Sequence, residues 1–354
     1  MINVIGNILG TTGYDNHTRQ LTKALSKITE VRLSTQIPIG VETQLTNKEV
    51  ELIKKKPQDN EINLIITNPM YWTQNTGAKR NWAYLIWEGD KIPLSWVEEC
   101  LNPDIELILV PSHHTKQAIE KTAGEDMETI GDKIMVVPHG VDLDLFYPKK
   151  IEKENVTFLA NKGFRGMEDR GGIQYLIKAY VEEFKPEEKV ELLLKINPAY
   201  GIPNMQEIIK QIVGDKEKIP PIRIDTTNYK YEELVDIYAK ASVFVSTTRA
   251  EAFNLPVLEA MACKLPIITT SFGGQADYTD TSTGWVVGGV LRRVEHELMY
   301  EETQWLTPSI SELKQSLREA YSAEEQRQEK GKKALEKAKE LTWDNSAEII
   351  HTFI

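Results

Sequence analysis

Short runs of apolar residues rich in Val and Ile recur along the chain, each separated from the next by a turn or a helical stretch. Continuous apolar runs that alternate with amphipathic helices are typical of parallel strands buried on both faces. The pattern predicts strands in the first half near Asn3–Ile5, Val31–Ser34, Asn63–Thr67, Ala83–Trp87, Leu107–Val110 and Ile134–Val137. In the second half it predicts strands near Val156–Ala160, Glu191–Leu194, Ile222–Asp225, Val243–Ser246, Ile267–Thr270 and Trp285–Val287.

The pattern changes after Trp285, where Gly288-Gly289 leads into a less regular stretch. Apolar residues then recur at helical spacing and predict helices over Ser309–Tyr321, Ala323–Leu341 and Trp343–Ile354. The last of these begins beside Asp344 and Asn345, either of which is a candidate for its N-cap.

Two sets of six strands predict an α/β fold with two facing Rossmann-like, doubly wound domains and an interdomain cleft. The length of 354 residues fits two cores better than one. A Pro and two Lys residues follow the sixth strand, at 146–150, and place the predicted boundary there. The expectation is an N-terminal domain over residues 1–149, completed by a helix over 343–354, and a C-terminal domain over residues 150–342.

Net charge, cysteine content and the length of apolar runs limit the functions and cellular locations that fit this chain. The net charge of −11 disfavours a dedicated nucleic-acid binder without excluding one, because phosphate backbones attract basic surfaces. The two cysteines, Cys100 and Cys263, form neither a disulfide framework nor a zinc pattern, which favours a reducing compartment. No apolar run approaches the roughly 18 residues that span a bilayer. These features predict a cytoplasmic protein, with membrane contact restricted to its surface.

The stretch 246–274 carries the most specific chemistry, because it predicts strand, loop, short helix, strand and a Gly-Gly loop in succession. Glu251 lies in the first loop, and Glu259 lies eight positions later within the helix. Carboxylates accept hydrogen bonds from the paired hydroxyls of ribose and hexose rings. Asn254 can cap the helix, and the free amides at its start can hold an anion. Taken alone, Glu251 is better interpreted as an exposed loop carboxylate, and Glu259 as an acid in the first helical turn that the helix dipole stabilises.

With their surroundings, these residues resemble the retaining glycosyltransferases of family 4, which have the GT-B architecture. Glu251 and Glu259 form the E-x7-E pattern of that family, followed by Pro266-Ile267-Ile268 and Gly273-Gly274. Three further blocks resemble the family in order, and together the blocks span nearly the whole chain: Thr11–Leu25, Ile134–Pro148 and Tyr231–Val245.

The resemblance implies that Glu251 contacts hydroxyls of the transferred sugar and that Glu259 binds the ribose. It implies that the sugar and leaving phosphate lie along the backbone of Phe253, Asn254 and Leu255. These roles belong to a transfer with retention, in which the acceptor attacks on the face from which the diphosphate departs.

The resemblance also implies a diphosphate subsite. Gly13 would let the backbone approach the diphosphate closely. Arg165, Arg170 and Lys162, in that order, are the candidates for stabilising the charge that develops on the leaving group. The expected partners are a UDP-, GDP- or ADP-type sugar and a hydroxyl acceptor of unknown class. Neither a metal nor any other cofactor is expected, and the pair Asp142 and Asp144 is interpreted as structural.

On the acceptor side, His17, Trp87 and Glu88 are the candidates. The sequence departs from the family at three places. Ala252-Phe253-Asn254 stands where the family often has Gly-Phe-Gly, and Arg170-Gly171-Gly172 where it commonly has Arg-Lys-Gly. Asn68-Pro69-Met70 stands in about the region of the N-terminal domain where the family usually has a histidine. Three alternatives therefore stay open: a non-catalytic protein that binds nucleotide sugars, an epimerase of the same architecture, and a phosphorylase of the same architecture.

Overall fold

The computed structural model describes residues 1–10, 12–35, 45–59, 61–214, 216–295, 298–300 and 302–354. Within these ranges the chain divides into two compact units. Unit 1 comprises Met1–Gly140, Arg293–Gln304 and Leu341–Ile354, and unit 2 comprises Val141–Arg292 and Trp305–Glu340. The division therefore falls after Gly140, whereas the sequence pattern places it after residue 149. The segment Arg293–Gln304 belongs to the first unit, although the pattern places it in the second domain.

Unit 1 contains a sheet of six parallel strands in the order β2-β1-β3-β4-β5-β6. Its strands are β1 (Ile2–Gly6), β2 (Val31–Ser34), β3 (Ile62–Ile66), β4 (Arg80–Tyr84), β5 (Leu107–Val110) and β6 (Ile134–Val136). Its helices are α1 (Gly13–Ile28), α2 (Asn47–Lys54), α3 (Leu94–Leu101), α4 (His113–Ala123) and α5 (Met127–Ile130), with the C-terminal α12 (Trp343–His351). Helix α12 packs against α1.

Unit 2 contains a second sheet of six parallel strands in the order β12-β11-β10-β7-β8-β9. Its strands are β7 (Val156–Lys162), β8 (Val190–Ile196), β9 (Ile222–Asp225), β10 (Val243–Ser246), β11 (Ile267–Thr270) and β12 (Gly284–Val287). Its helices are α6 (Ile173–Glu183), α7 (Met205–Val213), α8 (Leu234–Lys240), α9 (Leu255–Ala262), α10 (Ile310–Ser322) and α11 (Glu324–Ala338).

The predicted α/β class and both parallel sheets are confirmed, and each of the twelve predicted strands has a counterpart among the described residues. The largest difference concerns β4, which the sequence places over Ala83–Trp87 and the structure over Arg80–Tyr84. Residues 85–87 are buried as expected, but the pairing of β4 with β5 ends at Tyr84 and Leu109. The sequence pattern also misses a two-stranded sheet of β13 (Gly289–Arg293) and β14 (Gln304–Pro308). The strand β13 is exposed along its length, so it carries no buried apolar pattern.

Doubly wound sheets bind ligands beyond the carboxyl ends of their parallel strands. In unit 2 these ends are Lys162 on β7, Ile196 on β8, Asp225 on β9 and Ser246 on β10. Strands β7 and β10 are hydrogen-bonded neighbours, and the strand order of the sheet reverses about them. The fold therefore brings the loops after these two strands together at the topological switch point of unit 2.

Candidate functional site: a charged cluster at the switch point of unit 2

Glu251 lies in the loop after β10, between two cations, one at the end of β7 and one in the loop after it. Its Oε1 lies 2.7 Å from Lys162 Nζ, and its Oε2 lies 3.2 Å from Arg170 Nη1. Arg170 also donates a hydrogen bond of 2.9 Å to the backbone oxygen of Ala250, which ties the two loops together. The Lys162 side chain is only 6% exposed, so its ammonium is held in place by surrounding protein.

The charges of Lys162, Arg170 and Glu251 shift the pKa values of Glu251 and Lys162. Burial acts to raise the pKa of Glu251, but the positive charges of Lys162 and Arg170 outweigh it, so the pKa lies below its usual value. Burial lowers the pKa of Lys162, and the attraction to Glu251 opposes that effect. Glu251 is therefore a carboxylate at neutral pH. Lys162 and Arg170 supply two positive charges around Glu251, and the carboxylate of Asp169 also acts on Lys162. The two cations are the groups here that suit an anionic ligand.

A close backbone approach fixes the position of Arg170 relative to β10. Gly172 has φ +69° at the start of α6, and a Cβ at this position would lie 2.0 Å from the backbone oxygen of Thr247. The loops also share a backbone hydrogen bond, in which the amide of Arg249 donates to the oxygen of Arg170 at 2.9 Å. Only glycine fits where two backbones lie this close with a left-handed φ.

The start of α9 has an unusual conformation. Asn254 stands at the N-cap with φ +76°, a left-handed value that costs a non-glycine residue about 1–2 kcal/mol. Its side chain does not cap the helix, so the predicted capping role is wrong. Instead Asn254 Nδ2 donates to Ser246 Oγ at 3.0 Å, and Asn254 Oδ1 accepts from Lys162 Nζ at 3.4 Å. The amide side chain therefore connects the end of β10 with Lys162.

The Tyr278 side chain binds the backbone at the start of α9. Its hydroxyl lies 2.7 Å from the backbone oxygen of Phe253 and 2.9 Å from that of Asn254, and it donates to this pair of acceptors. The Tyr278 ring also packs on that of Phe253 at a centroid distance of 4.9 Å. Phe253, Asn254 and Leu255 are all buried. This contact holds the predicted sugar-lining segment in one conformation, and no local sequence signal points to Tyr278.

Glu259 is buried on α9, where two tyrosine hydroxyls donate to it. Tyr231 lies 3.0 Å from Oε1, and Tyr238 lies 2.6 Å from Oε2. Tyr238 in turn accepts a hydrogen bond of 3.1 Å from Asn161 Nδ2 on β7. Burial raises the pKa of Glu259 to about 7, although the two tyrosine hydrogen bonds oppose the rise. Sequence reasoning does not single out these tyrosines, because Tyr238 lies on α8 whereas Tyr231 lies in the short 3-10 turn before it.

The structure does not place every predicted residue in this cluster. Arg165 is exposed, with its guanidinium carbon 6.0 Å from the centre of the Tyr200 ring. Gly13 belongs to unit 1, where it is the exposed first residue of α1, and open space surrounds the position of a Cβ. The Asp15 carboxylate already accepts hydrogen bonds from the amides of Gly10 and Thr12 at this helix start.

The acceptor candidates of unit 1 lie largely in its core. His17 is fully buried in a ring cluster with Tyr84, His139 and Trp343, at centroid distances of 4.3, 4.2 and 5.6 Å. Burial lowers the pKa of His17 well below its usual value. His17 is therefore unavailable to touch an acceptor, and the expectation is corrected.

Trp87 is 1% exposed, and it packs on Trp96 and on Tyr300 at centroid distances of 4.8 and 4.5 Å. Its faces are therefore covered, so it is not available to contact an acceptor, and the expectation for Trp87 is corrected. The carboxylate of Glu88 accepts a hydrogen bond of 3.0 Å from the Tyr300 hydroxyl. Tyr300 therefore both covers Trp87 and binds Glu88. It lies 212 positions from Glu88 in the sequence, so no local pattern reveals these contacts.

Asp142 and Asp144 form a turn, in which Asp142 Oδ1 accepts a hydrogen bond of 3.0 Å from the amide of Asp144. Among the residues that the structure describes, no group of three or more His, Cys, Asp or Glu side chains is placed to hold a metal ion. Likewise, no helix in the described ranges has the length and apolar character needed to cross a membrane.

Comparison with known proteins places this site within a recognised sequence region. Residues 163–294 match the family model of glycosyl transferases group 1, and this range includes Arg170, Glu251 and Glu259. A probable sucrose-phosphate synthase of Thermosipho melanesiensis is 29% identical over 155 residues. That match covers 43% of this chain and 35% of the relative, so the chain matches about a third of the relative's length.

The fold is that of GT-B glycosyltransferases. The sucrose-phosphate synthase of Thermosynechococcus elongatus superposes with a TM-score of 0.69 at 16% identity, covering 99% of this chain and 98% of that one. The pneumococcal O-GlcNAc transferase GtfA, solved in complex with UDP and GlcNAc, superposes with a TM-score of 0.58 at 12% identity. That second match covers 83% of this chain and 56% of the neighbour.

Proposed function

We propose that this chain is a retaining glycosyltransferase of family 4, which moves a sugar from a nucleotide-diphosphate donor to a hydroxyl acceptor. One observation supports this most strongly: Glu251 is held as a carboxylate by Lys162 and Arg170 at the switch point of unit 2, with Glu259 on the adjoining helix. The match of residues 163–294 to glycosyl transferases group 1 supports the same class.

The proposed roles follow from charge. Lys162 and Arg170 stabilise the negative charge that grows on the leaving diphosphate, which lowers the barrier because this charge is largest in the transition state. Glu251 accepts hydrogen bonds from the sugar hydroxyls and orients the ring, and Glu259 accepts from the ribose hydroxyls. The exposed Arg165 is a secondary phosphate contact.

In the proposed reaction the bond from the anomeric carbon to the phosphate oxygen breaks, and the bond to the acceptor oxygen forms on the same face. The departing diphosphate takes the proton of the acceptor hydroxyl. Protein cations neutralise the diphosphate in this scheme, so we propose that transfer needs no metal. EDTA should then leave the rate unchanged, and activity restored only by a divalent cation would contradict this part of the proposal.

The first experiment measures thermal stabilisation by UDP, GDP, ADP and their sugars, without added metal, in the wild type and in Glu259→Ala. A shift for one nucleotide family that is lost in the variant is expected. Glu187→Ala provides the control, since it removes an exposed carboxylate in the loop before β8. Absence of stabilisation by every donor in the wild type would overturn the proposal.

A second experiment separates the two glutamates and tests catalysis itself. Glu251→Ala should lower the rate of donor hydrolysis or transfer by about 100-fold or more with a smaller effect on donor binding. Glu259→Ala should mainly raise the donor KM. If both variants showed the same fall in kcat and the same rise in KM, these separate roles would be contradicted. Donor binding without turnover would instead favour a non-catalytic nucleotide-sugar-binding protein.

A further inference from the structure

Lys195 is a buried ammonium that the roles above leave unused. It lies near the carboxyl end of β8 and is 3% exposed. Its Nζ donates one hydrogen bond, of 3.0 Å, to the backbone oxygen of Ile196. Among the described residues no carboxylate lies within 4.0 Å of this nitrogen, so two of its three N–H donors remain without a protein acceptor.

This arrangement is unfavourable for folding alone. Burial lowers the pKa of Lys195, and the more distant charge of Asp225 opposes that effect. An ammonium removed from water with its nearest counter-charge beyond hydrogen-bonding distance costs several kcal/mol, whereas Met at the same position would fill the space without that cost. A buried cation with free donors therefore points to a ligand that supplies acceptors.

The register of the sheet places Lys195 beside the proposed nucleotide site. Asn161, Lys195 and Asp225 are direct partners across β7, β8 and β9, so their side chains lie on one face of the sheet. Asn161 donates to Tyr238, whose hydroxyl donates to Glu259. A polar row thus leads from Glu259, the proposed ribose contact, to Lys195.

An aromatic ring completes this part of the site. Lys195 Nζ lies 5.6 Å from the centre of the Tyr229 ring, within the range of a cation–π contact. The Tyr229 hydroxyl donates to Asp225 Oδ2 at 2.8 Å, which fixes the ring at the end of β9. Tyr229 is partly exposed, so a flat group can approach it from solvent.

We propose that Lys195 and Tyr229 form the subsite for the nucleobase and select a base with a ring carbonyl, as in uracil or guanine. The inference rests on the proposed function. The ammonium donates to the carbonyl oxygen, and the Tyr229 ring packs on the base. Adenine is disfavoured because it presents an exocyclic amine, a hydrogen-bond donor, where uracil and guanine present the carbonyl oxygen.

The test is calorimetric titration of the full chain with UDP, GDP and ADP. The wild type should bind UDP or GDP at least about tenfold more tightly than ADP, a difference of about 1.4 kcal/mol. Lys195→Met should remove at least about tenfold of the affinity for the preferred nucleotide and leave ADP binding unchanged. Lys189→Met is the matched control, because Lys189 is an exposed lysine just before the same strand and should change neither.

The outcomes distinguish the two proposals. If the wild type binds a nucleotide and Lys195→Met binds it equally well, the base subsite is wrong while the proposed function stands. Preference of the wild type for ADP would likewise overturn the base subsite alone. If the wild type binds none of the three, the proposed function fails and the subsite fails with it. Should Lys195→Met not fold, Lys195→Gln serves instead, with a smaller loss expected because it keeps a donor.

Discussion

Replacing Glu259 with Gln should stabilise unit 2 at alkaline pH. Burial raises the pKa of Glu259 from 4.5 to about 7. Between these pH values the folded protein keeps a proton that the unfolded chain has released, so the wild type loses stability as the pH rises through this window. At about 1.4 kcal/mol per pKa unit, the cost above pH 7 reaches about 3 kcal/mol.

Gln removes this cost because it cannot ionise. Its amide oxygen can still accept a hydrogen bond from Tyr231 or Tyr238, but its amino group needs an acceptor at a site built from two donors. We therefore expect a gain smaller than the full charge effect, about 2 kcal/mol at pH 8 and much less at pH 5. The same substitution should weaken nucleotide binding, since it removes the carboxylate proposed to hold the ribose.

Urea unfolding at pH 5 and pH 8 measures the effect. Glu187→Gln, at an exposed position, supplies the control for a change of charge without a change of burial. A difference between Glu259→Gln and the wild type that does not grow from pH 5 to pH 8 would refute the assignment of a raised pKa. So would a destabilised variant at pH 8.

Three further outcomes are expected. Unit 1 should lose about 2 kcal/mol of stability between pH 6.5 and 5 through His139, whose pKa burial lowers to about 3. His17, whose pKa burial lowers well below its usual value, should add to this loss; urea unfolding at both pH values checks this, and a flat profile would contradict it. Gly172→Ala should lower the free energy of unfolding by about 3 kcal/mol, whereas Gly214→Ala, at a glycine that also has a positive φ but open space around its Cβ, should lower it by about 1 kcal/mol. Equal unfolding midpoints for the two variants would rule out the close approach to Thr247. Tyr278→Phe should lower the free energy of unfolding by about 1–3 kcal/mol, as measured by thermal unfolding, and raise the donor KM, as measured by steady-state kinetics. An unchanged KM would show that the Phe253–Asn254 backbone keeps its conformation without the Tyr278 hydroxyl.

The sequence predicts the two sheets well because each strand carries its own signal. Buried parallel strands are apolar throughout, so β3 and β10 are visible from a few consecutive residues. The strand β13 is exposed and carries no such signal. The end of β4 is misplaced by the pattern because burial continues through Trp87 after the strand pairing stops.

The candidate site is predictable only in part, for a similar reason. Motif resemblance assigns Glu251, Arg170 and Lys162 to one site, and the structure brings them together. The tyrosine contacts to Glu259 and the hydroxyl of Tyr278 depend on side-chain directions across different elements. The expectation for Trp87 is wrong because an aromatic residue at a strand end looks the same in sequence whether solvent or Tyr300 covers it.

The chain passes between the two units after Gly140, Arg292, Gln304 and Glu340, and this order has consequences during synthesis. Unit 2 has all of its residues once Glu340 has been made, whereas unit 1 still lacks α12. Until Trp343 has been synthesised, no indole packs on His17 and His139, so the core formed by the first 140 residues is incomplete. We expect unit 2 to fold first on the ribosome although its sequence begins second, the reverse of the usual N-terminal-first order.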